Sequence, residues 1–186
     1  GSLNAGANTV TVVTYTVRDP SGTTDTSTRT LTMVPVNDPP VDGNETNTVT
    51  EDTTLTVPAA TGLLANASDV DGDTPLTVSA FTVPGVGAGA VGAPLTIPGV
   101  GSLTIQATGA YSFTPVLNYT GAIPVVTYTV RDPGGLTDTS TLTLTMVPVN
   151  DPPADGNETT TATEDTTLPV PAATGLLANA SDVDGD

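Results

Sequence analysis

The chain has 186 residues, with 20 Asp and Glu against three basic residues (Arg18, Arg29 and Arg131), and a net charge of −17. It contains no Cys, His, Trp or Lys. Those absences exclude Ser-His-Asp and Cys-His catalysis, Schiff-base chemistry, the P-loop, disulfides and the usual zinc, copper and iron–sulfur sites.

Three arginines cannot build a phosphate-binding patch, so nucleic acid is not an expected partner. Paired carboxylates can hydrolyse glycosides, but here they cluster away from any aromatic-lined cleft, so no enzyme is expected. No apolar run is long enough to span a bilayer, and no membrane insertion is expected. The chain begins Gly1-Ser2 and shows no signal peptide, so it is read as part of a longer protein. The remaining donors are carboxylates, hydroxyls and carbonyls, hard oxygen ligands that suit Ca²⁺.

With 39 Thr, abundant Val, 19 Gly and 17 Pro, the chain reads as all-β, because β-branched residues favour strands and Gly and Pro supply turns. In chain order, strands are expected near Asn47–Thr50, Thr54–Val57, Leu76–Val83, Ser102–Ala107, Tyr111–Thr114, Pro124–Val130 and Ser140–Val147. The last two show strict alternation: Val126, Tyr128 and Val130 are separated by threonines, as are Leu142, Leu144 and Met146. One short helical stretch is expected at Thr61–Ala67, with its copy at Thr174–Ala180. Val83–Gly101 reads as an exposed loop, with a self-association surface as the alternative. Gln106–Ala110 reads as a hairpin turn in which Gly109 takes positive φ.

An internal repeat organises the chain. Val12–Asp73 matches Val125–Asp186 at an offset of 113, with seven differences in 62 positions: Ser21/Gly134, Thr23/Leu136, Arg29/Leu142, Val41/Ala154, Asn47/Thr160, Val49/Ala162 and Thr56/Pro169. The stiff VNDPP segments, Val36–Pro40 and Val149–Pro153, read as linkers. Residues 1–37 are then the C-terminal part of a preceding repeat, 38–150 one complete β-sandwich repeat, and 151–186 the N-terminal part of a following one. The two partial repeats are too short for a core of their own and should expose apolar faces.

The acids fall into two sets of ten, offset by 113, with none between Asp73 and Asp132. Asp25, Asp42 and Glu45 read as charges that solvate loops. Asp69-Val70-Asp71-Gly72-Asp73 reads differently: carboxylates this close repel unless a dication lies between them. The spacing is not that of an EF-hand, since the twelfth position is Ala80. Further ligands are expected from Asn37, Asp38, Glu51 and Asp52. The second joint would use Asn150, Asp151, Glu164, Asp165, Asp182, Asp184 and Asp186. Asp19 and Asp132 come last, because Arg18 and Arg131 stand beside them. Five asparagines (Asn44, Asn66, Asn118, Asn157 and Asn179) fit the glycosylation pattern, which chance explains in a Thr-rich chain.

The segments VNDPP, TEDTTL, LLANASDVDGD, GSLTIQATGAYSFTPVLNYTG and VTYTVRDPGGLTDTSTLTLTMVPVND resemble the tandem cadherin-like or bacterial Ig-like repeats of giant type I-secreted (RTX) adhesins. The resemblance implies Ig-like β-sandwiches in series, Ca²⁺ near the joints, neighbouring repeats as partners, and an extracellular location on the bacterial surface or in secreted matrix. Asn37/Asp38 and Asn150/Asp151 match the joint motif of that family, and Asp69, Asp71 and Asp73 its Asp-rich loop. The expected function is a structural stalk. The alternative is a self-assembling filament or sheath in which other copies are partners; a glycan- or ice-binding module is a third.

Overall fold

The computed structural model describes residues 9–32, 34 and 36–185. Strands β1 (Thr9–Arg18) and β2 (Thr24–Thr32) form an antiparallel hairpin. The strands that follow are β3 (Glu45–Thr50), β4 (Leu55–Val57), β5 (Thr77–Val83), β6 (Gly87–Gly89), β7 (Pro94–Ile97), β8 (Gly101–Ile105), β9 (Tyr111–Pro115), β10 (Val126–Arg131) and β11 (Thr137–Val147). They build a five-stranded sheet, β3-β11-β10-β5-β6, and a four-stranded sheet, β4-β9-β8-β7.

The seven strands expected between Asn47 and Val147 are present with small shifts at their ends. Two more, β6 and β7, lie inside the stretch expected to be a loop. β6 folds back on β5, where Phe81 pairs with Gly89 and a side chain at Gly89 would collide with the Phe81 ring, while β7 pairs with β8 in the other sheet. The short helix expected at Thr61–Ala67 reduces to a single 3₁₀ turn, Ala59–Thr61, and its copy to Ala172–Thr174. The hairpin turn is as expected, with Gly109 at φ 82° and its amide bonded to the Gln106 carbonyl at 2.9 Å.

The two sheets enclose one core, in which Phe81, Leu103, Ile105, Phe113, Val126, Tyr128, Val130, Leu142 and Leu144 are buried. Their period-2 spacing sends these side chains inward and the intervening threonines outward. β3 runs parallel to β11, with Leu142 opposite Glu45 and Val147 opposite Thr50. This one parallel pairing fixes the ends of the sandwich. The turn after β10, with Asp132, lies at one end. Residues just past β3 lie at the other, where the Glu51 amide bonds to the Val147 carbonyl at 2.9 Å.

The hairpin β1–β2 repeats the sequence of β10–β11 in a different setting. Tyr128 is fully buried, whereas Tyr15, its counterpart, is 48% exposed. Val13, Val17 and Leu31 are similarly open, since β1 and β2 pair only with each other.

Candidate metal centres at the two joints

Each linker enters an acidic loop through the same backbone pattern. At the first joint the Asp38 amide donates to Asp71 Oδ2 at 2.6 Å, and the Asp71 amide to Asp69 Oδ1 at 2.8 Å. At the second the Asp151 amide donates to Asp184 Oδ2 at 2.7 Å, and the Asp184 amide to Asp182 Oδ1 at 2.8 Å. Isolated bridges, Val41 with Ser68 and Ala154 with Ser181, pin each linker beside its loop. Gly72, at φ 77°, lets the first loop curl over its own carboxylates.

The first joint gathers Asn37, Asp38, Asp69, Asp71, Asp73 and Asp132. Asp71 and Asp132 are both buried. Asn37 Nδ2 donates to Asp132 Oδ2 at 2.7 Å. Burial, followed by the charges of Asp69, Asp132 and Asp71, raises the pKa of Asp73. Asp69 Oδ2 is buried with no hydrogen-bond partner among the described residues.

Asp132 stands in the cluster despite its neighbour Arg131. Burial works to raise its pKa, but the Asn37 amide and the backbone N–H groups of Leu136, Gly135 and Gly134 outweigh burial and lower it. Asp132 therefore stays an anion held by a tight turn and aimed at the linker. Asp19, the equivalent residue of the hairpin, closes the β1–β2 turn through the Ser21 hydroxyl at 2.7 Å and the Thr23 amide at 2.8 Å.

The second joint draws ligand candidates from the sandwich that precedes it. Carboxylate oxygens of Glu51, Asp52 and Asp151 lie within 4.8 Å of one another. Glu51 is 1% exposed: its Oε2 accepts the Val149 amide at 2.9 Å, while Oε1 has no partner among the described residues. Asp151 Oδ2 is likewise buried and unpartnered. Burial, then Asp52, Asp184, Glu51 and Asp182, raises the pKa of Asp151. Asn150 turns its side-chain amide to the Asp151 carbonyl at 3.2 Å.

This arrangement corrects the sequence-based grouping. Glu51 and Asp52 do not stand with Asp69, Asp71 and Asp73; the parallel course of β3 carries them to the opposite end, beside Asp151. Glu164 and Asp165, their copies, are exposed in a turn, apart from the charges that surround Asp151. Asp186 lies outside the described residues. Asn118, read from sequence only as a glycosylation motif, also belongs to this joint: its amide donates to Asp52 Oδ1 at 2.8 Å. Asp52 and Asn118 both adopt left-handed backbones, at φ 58° and 57°, a conformation that short polar side chains tolerate. The 113-residue offset makes the joints complementary views of one arrangement. The first shows what the following repeat offers, and the second what the preceding repeat offers.

The donor set fits Ca²⁺. It is all oxygen, strongly anionic, and includes buried carboxylate atoms that hydrogen bonds leave unsatisfied.

A separate acid pair lies inside the sandwich. Asp42 and Glu45, expected to solvate a loop, are instead partly buried around the Tyr128 hydroxyl, which donates toward Asp42 Oδ2 at 2.8 Å and also contacts Glu45 Oε2. Burial, then the nearby Asp138, pushes Asp42 up to about 6; burial and Asp42 push Glu45 up to about 7.

A β-sandwich entered and left through acidic linkers defines a repeat module built for chaining end to end. Residues 37–148 match the bacterial cadherin-like domain, more than half of the chain, and the chain belongs to that family. The family points to an extracellular repeat module, and cadherin-like folds of this Ig type are typically non-enzymatic structural domains. No helix among the described residues is long and apolar enough to cross a membrane. No curated protein matches the sequence.

Solved structures with similarity include a nucleoside hydrolase-related hypothetical protein from Saccharophagus degradans associated with carbohydrate metabolism. It is 15% identical with a TM-score of 0.41, over 61% of this chain and 26% of that one. A chicken TCR is 18% identical with a TM-score of 0.33, over 68% of this chain and 64% of that one.

Proposed function

We propose that this chain is part of the stalk of a secreted bacterial cell-surface adhesin of the RTX type, a serial extender that Ca²⁺ stiffens at its joints. The observation that carries the reading is Glu51. Its carboxylate is 1% exposed, keeps one oxygen without a partner among the described residues, and meets Asp52 and Asp151 within 4.8 Å. A buried anion in that setting is costly unless a cation joins it.

In this reading Glu51, Asp52, Asp151, Asp182 and Asp184 hold the ion at the second joint, with Asn150 turning the linker toward it. Asn37, Asp38, Asp69, Asp71, Asp73 and Asp132 offer the matching half at the first. The ion supplies the positive charge that lets the carboxylates converge. The chain's own amides, on Val149, Asp151 and Asp184, orient the carboxylates beforehand. Near-identical repeats suit length better than varied recognition, because each link shows the same surface.

Calorimetric titration with Ca²⁺ tests the assignment. Tight binding that Glu51→Gln weakens by at least tenfold supports it; equal affinity in the wild type and Glu51→Gln refutes it. A filament or sheath built from these modules is the second reading, suggested by Thr-rich strands with few charges in the body of the repeat.

A further inference from the structure

The turn after β10 and its copy after β1 follow the same backbone path. After β10 the Asp132 amide donates to the Leu136 carbonyl at 3.1 Å and the Gly135 amide to the Asp132 carbonyl at 3.3 Å. After β1 the Asp19 amide donates to the Thr23 carbonyl at 2.9 Å and the Gly22 amide to the Asp19 carbonyl at 3.1 Å. Gly135 and Gly22 take the left-handed position, at φ 99° and 95°. The residue before them differs: Gly134 in the complete repeat, Ser21 in the preceding one. Gly134 has no positive φ, and Ser21 fits the same turn, so the backbone does not require glycine there.

The linker does. A Cβ on Gly134 would lie 2.6 Å from Asn37 Nδ2, 3.0 Å from its Cγ and 3.1 Å from its Oδ1, well inside van der Waals contact. The same Nδ2 donates to Asp132 Oδ2 at 2.7 Å. The atoms in the way are the end of an exposed side chain. A side chain at position 134 therefore costs the fold little but drives Asn37 off Asp132. Ser21 shows the substitute: its hydroxyl donates to Asp19 Oδ1 at 2.7 Å. That aspartate takes from its own turn the donor that Asp132 takes from the linker.

We propose that this turn position sets how a repeat holds the linker entering it. Gly134 seats Asn37 against Asp132, and a serine, as in the preceding repeat, releases the linker asparagine. Successive joints along the chain are then of two grades. Gly134 is a positioning residue that acts through Asn37, because its own amide can still bond to Asp132 after substitution. That a released linker also binds Ca²⁺ less tightly rests on the function proposed above; the seating of Asn37 does not.

The test uses the 186-residue chain with Gly134→Ser, with Asn37→Ala and with both. Nuclear magnetic resonance in chelator reads the side-chain amide of Asn37, assigned by its loss in Asn37→Ala. In the wild type the proton bonded to Asp132 should be shifted downfield and protected from exchange with water. In Gly134→Ser it should return to the position and exchange rate of a solvent-exposed asparagine. Calorimetry then reads Ca²⁺ binding. Gly134→Ser should weaken it about fivefold, and should change nothing in a chain that already carries Asn37→Ala, because two changes at one contact do not add. An Asn37 signal indifferent to Gly134→Ser, or a calcium effect of Gly134→Ser that persists beside Asn37→Ala, would overturn the proposal. A wild type that binds no Ca²⁺ while the Asn37 signal moves as expected would refute the calcium reading alone and support the seating.

Discussion

Among the acids, position in the fold matters more than charge. Asp71 is buried and anchors the linker through the Asp38 amide, whereas Asp25 lies exposed on β2. Asp71→Asn should therefore weaken Ca²⁺ binding by at least tenfold and Asp25→Asn hardly at all, as calorimetry will read. Asp42 and Glu45 give a pH signature. Their folded pKa values, about 6 and about 7, lie above the ordinary 3.8 and 4.5. The native state then binds more protons than the unfolded one, so this pair's contribution is full below about pH 4. It is lost as pH rises through about 6 to 7. The chelated protein should lose melting temperature across that window, and Glu45→Gln should flatten the slope; a slope unchanged by Glu45→Gln would assign it to the joints. The acid-rich loop was legible in sequence because three carboxylates in five residues need a reason. Its partners were not: Glu51 is 18 residues from Asp69 in the chain, but β3 carries it to the far end. Asp132 was hidden by its neighbour Arg131, because sequence does not show the Asn37 amide and the turn that hold it.

The same strand pair behaves differently as an element in two settings. β10 is sandwiched between β5 and β11, whereas β1 has one neighbour. Tyr128→Phe should thus destabilise the repeat by about 1–3 kcal/mol, since two partly buried carboxylates lose their donor. Tyr15→Phe should leave the monomer's melting temperature unchanged. Leu142→Ala should cost about 2–5 kcal/mol through the cavity it opens, while Arg29→Ala should be near neutral. Chemical denaturation of the four variants checks this pairwise contrast. The strands were legible where alternation is strict, as in β10 and β11. β6 and β7 were not, because Gly87–Gly89 has no side-chain pattern and is strand only by lying against Phe81. The expected helix failed for a related reason: after the turn at Ala59–Thr61 the chain is drawn to the hairpin turn, with the Leu63 amide on the Gly109 carbonyl at 2.9 Å.

At the scale of the whole molecule, neutral sandwich bodies alternate with strongly acidic joints. A cation that binds only the assembled joint stabilises by mass action and fixes the angle between neighbours. Calcium removal should lower the melting temperature while leaving the far-UV spectrum of the sandwich in place. The most direct test of the account is small-angle scattering of the 186-residue chain, at concentrations too low for self-association, in Ca²⁺ and in chelator. With Ca²⁺ the maximum dimension should be larger and the distance distribution narrower, relaxing to a shorter and broader one in chelator. Identical distributions in both buffers would contradict it.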